Sequence, residues 1–96
     1  MTVTKRDLTE AVSNAMGPLI TRKMVGIIID RFLREIVKAL SRGERIELRG
    51  FGIFVTKPRK ARKARNPKTG ESVFVPSRIV PVFKPSKELK EIVKEG

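Results

Sequence analysis

Residues 57–68 read K-P-R-K-A-R-K-A-R-N-P-K. Seven of these twelve residues are cationic (Lys57, Arg59, Lys60, Arg62, Lys63, Arg65 and Lys68) and none is acidic. Apolar, strand-like runs flank the stretch on both sides, and Asn66-Pro67-Lys68-Thr69-Gly70 closes it. Pro67-Lys68-Thr69-Gly70 has the chemistry of a β-turn, with proline first and glycine last. A charged segment folded back on itself through a turn is an arm rather than a loose tail. An arm of this charge needs a polyanion to lie on, and the commonest polyanion is nucleic acid.

Working outward on the C-terminal side, Ser72-Val73-Phe74-Val75 begins the return strand and Ile79-Val80-Pro81-Val82-Phe83 ends it. Ser86 can cap a last helix, Lys87 to about Lys94, with Leu89, Ile92 and Val93 on its apolar face. On the N-terminal side, Arg45-Ile46-Glu47-Leu48-Arg49 alternates with a period of two, Gly50 turns, and Phe51-Gly52-Ile53-Phe54-Val55-Thr56 resumes as strand. Pro58, Pro76 and Pro81 lie in or beside these runs. Proline cannot donate to a strand ladder, so these residues argue against a central strand and suit a two-stranded ribbon, where both strands are edges.

The first half has helical periodicity. Thr4 is a candidate N-cap with Asp7 in the first turn. Leu8, Ala11, Val12, Ala15 and Met16 recur at the spacing of one buried face, and Gly17-Pro18 stops the helix. Thr21 caps a longer helix ending near Leu40, with Ser41-Arg42-Gly43 as its exit. Its apolar positions run from Met24 through Ile27, Ile28, Phe32, Ile36 and Val37 to Leu40, a stripe too wide for a helix covered on one side. Gly26, inside this stripe, is unfavourable in a helix by about 1 kcal/mol relative to alanine; close packing against a neighbouring helix accounts for it. The stripe predicts a homodimer or close heterodimer with intertwined helical halves. The alternative is a monomer in which the first helix covers the second side.

Composition sets the outer limits. The chain has 96 residues, 22 basic and 10 acidic, for a net charge of +12. The arm carries seven positive charges, and the remaining residues contribute five more. The charge is therefore concentrated, as an electrostatic footprint is. A chain of this length reads as one domain, residues 1–96, with the arm at about 57–76. The 40% hydrophobic and 33% charged balance is that of a folded protein. There is no cysteine and no histidine, which removes the thiol nucleophile, the zinc–thiolate site and the usual general base. No apolar run reaches membrane-spanning length, and Met1-Thr2-Val3-Thr4 lacks the apolar core of a secretory signal. The expectation is a cytoplasmic binding protein, not an enzyme, with no cofactor and no metal.

Three stretches carry a resemblance. Gly43 to Gly52 (G-E-R-I-E-L-R-G-F-G) followed by Phe54, then Arg65-Asn66-Pro67-Lys68-Thr69-Gly70-Glu71, then Val80-Pro81-Val82-Phe83-Lys84-Pro85 followed by Lys87, Leu89 and Lys90, together resemble the HU/integration host factor family. The match runs through the whole chain in the same order. Ala64 stands where the family usually has glycine, and Ser86 replaces another common glycine. The resemblance implies an α+β fold: an intertwined dimer with a helical body, a three-stranded sheet and an extended two-stranded β-ribbon arm. It implies a nucleoid protein whose arms enter the minor groove of duplex DNA, with Pro67 as the wedge that kinks the duplex. Arg65 and Asn66 would sit beside it.

The candidate DNA-binding residues are Arg59, Lys60, Arg62, Lys63, Arg65, Asn66, Pro67 and Lys68 in the arm, with Lys5, Arg49, Lys84, Lys87 and Lys90 on the body. Arginine suits a narrow electronegative groove and lysine the phosphates. Read without the resemblance, Pro67 can equally be a residue that only fixes the turn, and each body lysine can be plain surface. Glu47 and Arg49 resemble a pair in β-type subunits of integration host factor that bears on sequence preference; the plainer reading is a charge pair across strands. Phe51, Phe54 and Phe83 read as core, and Phe74 as a side chain that packs across the ribbon. The resulting expectation is an architectural protein that bends and compacts DNA with little base readout, preferring bent, nicked or flexible duplex. The alternatives are a sequence-preferring integration host factor subunit and, more distantly, an RNA-binding basic hairpin.

Overall fold

The computed structural model describes residues 1–95. The chain falls into two compact units, the first covering residues 1–38 and the second beginning at Ala39.

The first unit holds α1 (Lys5–Met16) and most of α2 (Arg22–Ser41). Thr4 caps α1 through a reciprocal box: the Asp7 amide donates to Thr4 Oγ1 at 3.2 Å, and the Thr4 amide donates to Asp7 Oδ2 at 2.9 Å. Thr21 does the same service for α2, accepting from the Met24 amide at 3.1 Å. A β-carbon on Gly26 would meet Thr9 Cγ2 of α1 at 3.8 Å, an ordinary contact. The neighbouring helix expected at Gly26 is therefore there, but not so close that only glycine fits.

The apolar faces of these helices are formed as the periodicity requires, yet they are not covered. Val25, at 3% exposure, is the single buried apolar residue among those described. Leu8, Val12 and Met16 on α1 stay exposed, as do Ile27, Ile28, Phe32 and Val37 on α2, with Ile28 at 62% and Phe32 at 52%. The face of α1 read from sequence as buried is therefore open in the single chain.

The second unit is built on a three-stranded antiparallel sheet of order β1-β2-β5, with β1 (Ile46–Leu48), β2 (Gly52–Arg59) and β5 (Arg78–Pro85). Phe51, Phe54 and Phe83 cluster, with ring centroids 5.3 Å apart for Phe51–Phe83 and 4.8 Å for Phe54–Phe83. They pack against one another as expected of core residues. Gly52 lies under this cluster. A β-carbon there would come within 2.6 Å of the Phe83 ring and of the Lys84 carbonyl oxygen, so glycine is the residue that lets the strands close. α3 (Lys87–Glu95) follows β5 directly. Ser86 both caps it, accepting from the Leu89 amide at 3.1 Å, and donates to the Gly50 carbonyl at 2.8 Å, tying the β1–β2 turn to the helix start.

Beyond the sheet, β3 (Arg62–Arg65) and β4 (Ser72–Val75) form a separate two-stranded ladder. Both ladders keep one register. Arg59 faces Arg78 at the end of the sheet, and Arg62 faces Val75 where the ribbon begins, so two residues are skipped on each strand. The gap falls at Pro76, which has no amide hydrogen to offer. Pro58 lies on β2 past the reach of β1, and Pro81 lies on β5, an edge strand. The three prolines are thus at unpaired edges or at a ladder break.

Candidate nucleic-acid interface

A single register makes the hairpin's charge one-sided. Alternate residues of a strand point to opposite faces. Lys57 and Arg59 of β2 share a face with their cross-strand neighbours Val80 and Arg78, and Lys84 lies on that same face of β5. Continued through the gap in unchanged register, the alternation puts Lys63, Arg65, Phe74 and Ser72 on this face too. The other face carries Lys60 and Arg62 among Pro58, Ala64, Val73, Val75, Ile79 and Pro81. Six cations therefore line one face of the hairpin and two the other. Apart from Glu71 at the tip, residues 52–85 hold no carboxylate.

The tip is held by its own backbone and by Asn66. The Asn66 amide donates to the Glu71 carbonyl at 2.8 Å, and the Gly70 amide to the Asn66 carbonyl at 2.7 Å. Asn66 Oδ1 accepts from the Lys68 amide at 2.9 Å, and Thr69 Oγ1 from the Glu71 amide at 3.3 Å. Gly70 has φ of 75°, a value at which a side chain is strained. Pro67 sits at the apex, exposed, with its ring outside this network. The asparagine side chain is thus partly committed to shaping the turn that presents the proline.

The remaining candidates fall in three places. Arg49 is exposed in the β1–β2 turn, Lys84 is on β5, and Lys87 and Lys90 are one turn apart on α3. Lys5 belongs to the first unit, where its Nζ donates to Asp30 Oδ1 at 2.6 Å. That pair is largely exposed and contributes little to stability. Glu47 pairs with Arg45, the residue just ahead of β1, at 4.0 Å rather than with Arg49. Phe74 does not pack across the ribbon as read from sequence. It is 67% exposed, and its cross-strand neighbour is Lys63, a flexible chain that offers no aromatic surface.

Sequence reading passed over Lys57 and Arg78 as binding candidates. Lys57 shares its face with Lys84 and Arg59, and its pKa is held below the ordinary lysine value, by the Lys84 side chain foremost and then by desolvation and Arg59. Arg78, isolated in the sequence, stands directly opposite Arg59. The signal that finds both is the pairing register counted outward from the turn.

A basic β-hairpin beside a small sheet, with one charged face and an exposed apolar tip, is an arrangement suited to a nucleic-acid-binding protein. Comparison with known proteins narrows this. The family described as bacterial DNA-binding protein matches residues 3–94. The chain is 45% identical over 94 residues to the integration host factor subunit beta of Halorhodospira halophila (strain DSM 244 / SL1), covering 98% of this chain and 91% of that one. Among solved structures it matches an Anabaena HU–DNA cocrystal structure with TM-score 0.85 at 35% identity, covering 98% of this chain and all of that one. HU from Thermotoga maritima matches with TM-score 0.66 at 31% identity, over 95% and 98% of the two chains. The chain belongs to the HU/integration host factor family of bacterial DNA-binding proteins. The α+β fold with its three helices, antiparallel sheet and ribbon is that family's fold.

Proposed function

We propose that this protein is a non-catalytic architectural component of the bacterial nucleoid that bends and compacts double-stranded DNA. It works as a dimer whose two arms lie in the minor groove. The observation that carries this reading is the one-sided hairpin with an exposed proline at its apex. The cationic face holds the duplex through phosphates and groove floor. Pro67, apolar and rigid, enters a base step at little conformational cost. Unstacking a step costs a few kcal/mol, recovered when the bent duplex meets more protein surface. Arg59, Lys60, Arg62, Lys63, Arg65 and Lys68 hold the arm in place, with Asn66 at the tip. Lys5, Lys84, Lys87 and Lys90 meet the flanking duplex once it curves. For Lys5 this means exchanging Asp30 for a phosphate.

Binding of this kind reads shape and deformability more than base edges. Duplex that is already nicked, kinked or flexible should be preferred because its deformation costs less. The dimer follows from the open apolar faces of α1 and α2, which a second chain would cover.

A second reading, a subunit with a preferred DNA site in a heterodimer, is favoured by one observation: Arg49 and Glu47 are exposed on a chain 45% identical to an integration host factor beta subunit. Gel-shift titration across a salt series on plain, nicked and cruciform duplexes, with duplex RNA alongside and bending read by energy transfer, tests the proposal. The expected result is nicked and cruciform DNA bound above plain duplex, RNA weakest, and a bend that saturates with binding. Equal affinity for all three DNAs without bending would refute it, and strong preference for one duplex sequence would favour the second reading.

A further inference from the structure

Of the five phenylalanines in the chain, Phe74 alone stands on the ribbon. Phe51, Phe54 and Phe83 pack on one another, and Phe32 belongs to the open face of α2. Phe74 is 67% exposed, and among the described residues no other ring meets it. The ladder places it opposite Lys63 and two rungs from the Arg65–Ser72 pair, on the face that carries the hairpin's six cations. The ribbon does not need a ring there. Val73 and Val75 supply apolar side chains on the other face, and a valine or threonine at position 74 would serve strand preference as well.

A bare ring gains from any flat apolar surface that covers it. The surface that covers this one must also be anionic, because it lies between Lys63 and Arg65, and the hairpin's one carboxylate, Glu71, is at the tip. An acidic peptide or a lipid headgroup supplies the charge without the flat face. A nucleobase, with phosphates to either side, supplies both. We infer that Phe74 is a stacking residue that takes the face of a base left unpaired beside the kink. Phe74 lies three residues behind the rung at which Asn66 meets Glu71, about 10 Å at about 3.3 Å per residue. The stacked base therefore lies within about four base steps, at about 3.4 Å each, of the step that Pro67 opens. The two side chains then divide the work: the proline parts a step, and the ring captures a base that has left the stack. Phe74 also gives the arm a discrimination that its cations lack. An abasic position presents the same phosphates to Lys63 and Arg65 but offers the ring no face.

This role rests on the proposed DNA binding, and the experiment separates the two. The probes are nicked duplexes with one unpaired base about three steps from the nick, on either side, and the same duplexes with an abasic site in its place. The natural chain, Phe74→Val and Phe74→Trp are titrated on each across a salt series. Phe74→Val keeps strand preference and an apolar side chain but has no flat face. The chain has neither tryptophan nor tyrosine, so Phe74→Trp adds its only indole, whose emission is quenched when a base stacks on it. Phe74→Val should lose about fivefold or more in affinity for the unpaired-base duplex and little for the abasic one. Its salt slope should be unchanged on both, because no charge is removed. Phe74→Trp should keep its affinity, with emission that falls on the unpaired-base duplex and not on the abasic one. An equal or absent loss on the two duplexes, or an emission blind to the base, overturns the inference while leaving DNA binding standing. So does a lower melting temperature of Phe74→Val without DNA, because that makes the ring structural. Weak, salt-independent binding by the natural chain would defeat the proposed function itself.

Discussion

Diluting this protein should unfold it. The apolar faces of α1 and α2 leave nine large side chains exposed, six of them by half or more (Leu8, Met16, Ile27, Ile28, Phe32 and Val37), with Val25 the one buried apolar side chain among the described residues. Fully burying one such side chain is worth about 1.5–3 kcal/mol, so covering what is open gains roughly 10 kcal/mol per chain. Two chains together gain roughly twice that, against an association cost of about 4–15 kcal/mol. Folding and dimerisation should therefore be one transition. For such a transition each tenfold change in protein concentration shifts apparent stability by about 1.4 kcal/mol. In a dimer of two 96-residue chains that is a melting temperature lower by roughly 3–6 °C per tenfold dilution. Circular dichroism melts from 0.5 to 50 micromolar, with sedimentation at both ends, measure this. Ile28→Glu, placing a charge in the middle of the open face, should abolish the folded dimer at micromolar concentration. A melting temperature independent of concentration, with a folded monomer in the centrifuge, would refute the reasoning.

Other consequences are more local. Thr4→Ala removes the α1 cap and should lower stability by about 1 kcal/mol, read by denaturant midpoint at unchanged m-value. Hydrogen bonds from the Thr4 amide, and secondarily its hydroxyl, hold the Asp7 carboxyl below its ordinary value. The contribution of that carboxylate is therefore complete above the unfolded value near 3.8 and lost as pH falls through the lower folded value. Asp7→Asn should therefore be less stable than the natural chain near neutral pH and converge with it as pH falls through the folded value, and a difference that persists undiminished in acid would contradict the box. Gly52→Ala forces a β-carbon to 2.6 Å from the Phe83 ring and the Lys84 carbonyl. It should cost about 1–3 kcal/mol and separate β2 from β5, seen as lost amide protection in both strands.

Much of this architecture was legible in the sequence, and the reason is chemical. Thr4, Thr21 and Ser86 are capping residues ahead of periodic apolar runs, and each caps its helix. Pro58, Pro76 and Pro81 marked edges and a ladder break because proline has no amide hydrogen. The sidedness of the arm was harder to read. In K-P-R-K-A-R-K-A-R cations fall at both odd and even positions, so strand alternation alone assigns them to no face. The turn supplies what is missing: with Asn66 opposite Glu71, counting outward puts Arg59 against Arg78. That count holds only if the strands stay in register through Pro76, since a one-residue bulge would turn every later side chain over. Phe74 departs from the sequence expectation as well: it stands opposite Lys63 and is 67% exposed, so it does not stiffen the ribbon by packing across it.

The central claim is that the arm bends DNA through the proline at its tip. Energy transfer between dyes at the ends of a short nicked duplex, measured at saturating protein for the natural chain and for Pro67→Ala, tests it most directly. The account predicts that Pro67→Ala still saturates the duplex, with a salt dependence close to that of the natural chain, but brings the ends together far less. An equal bend from both proteins would contradict it.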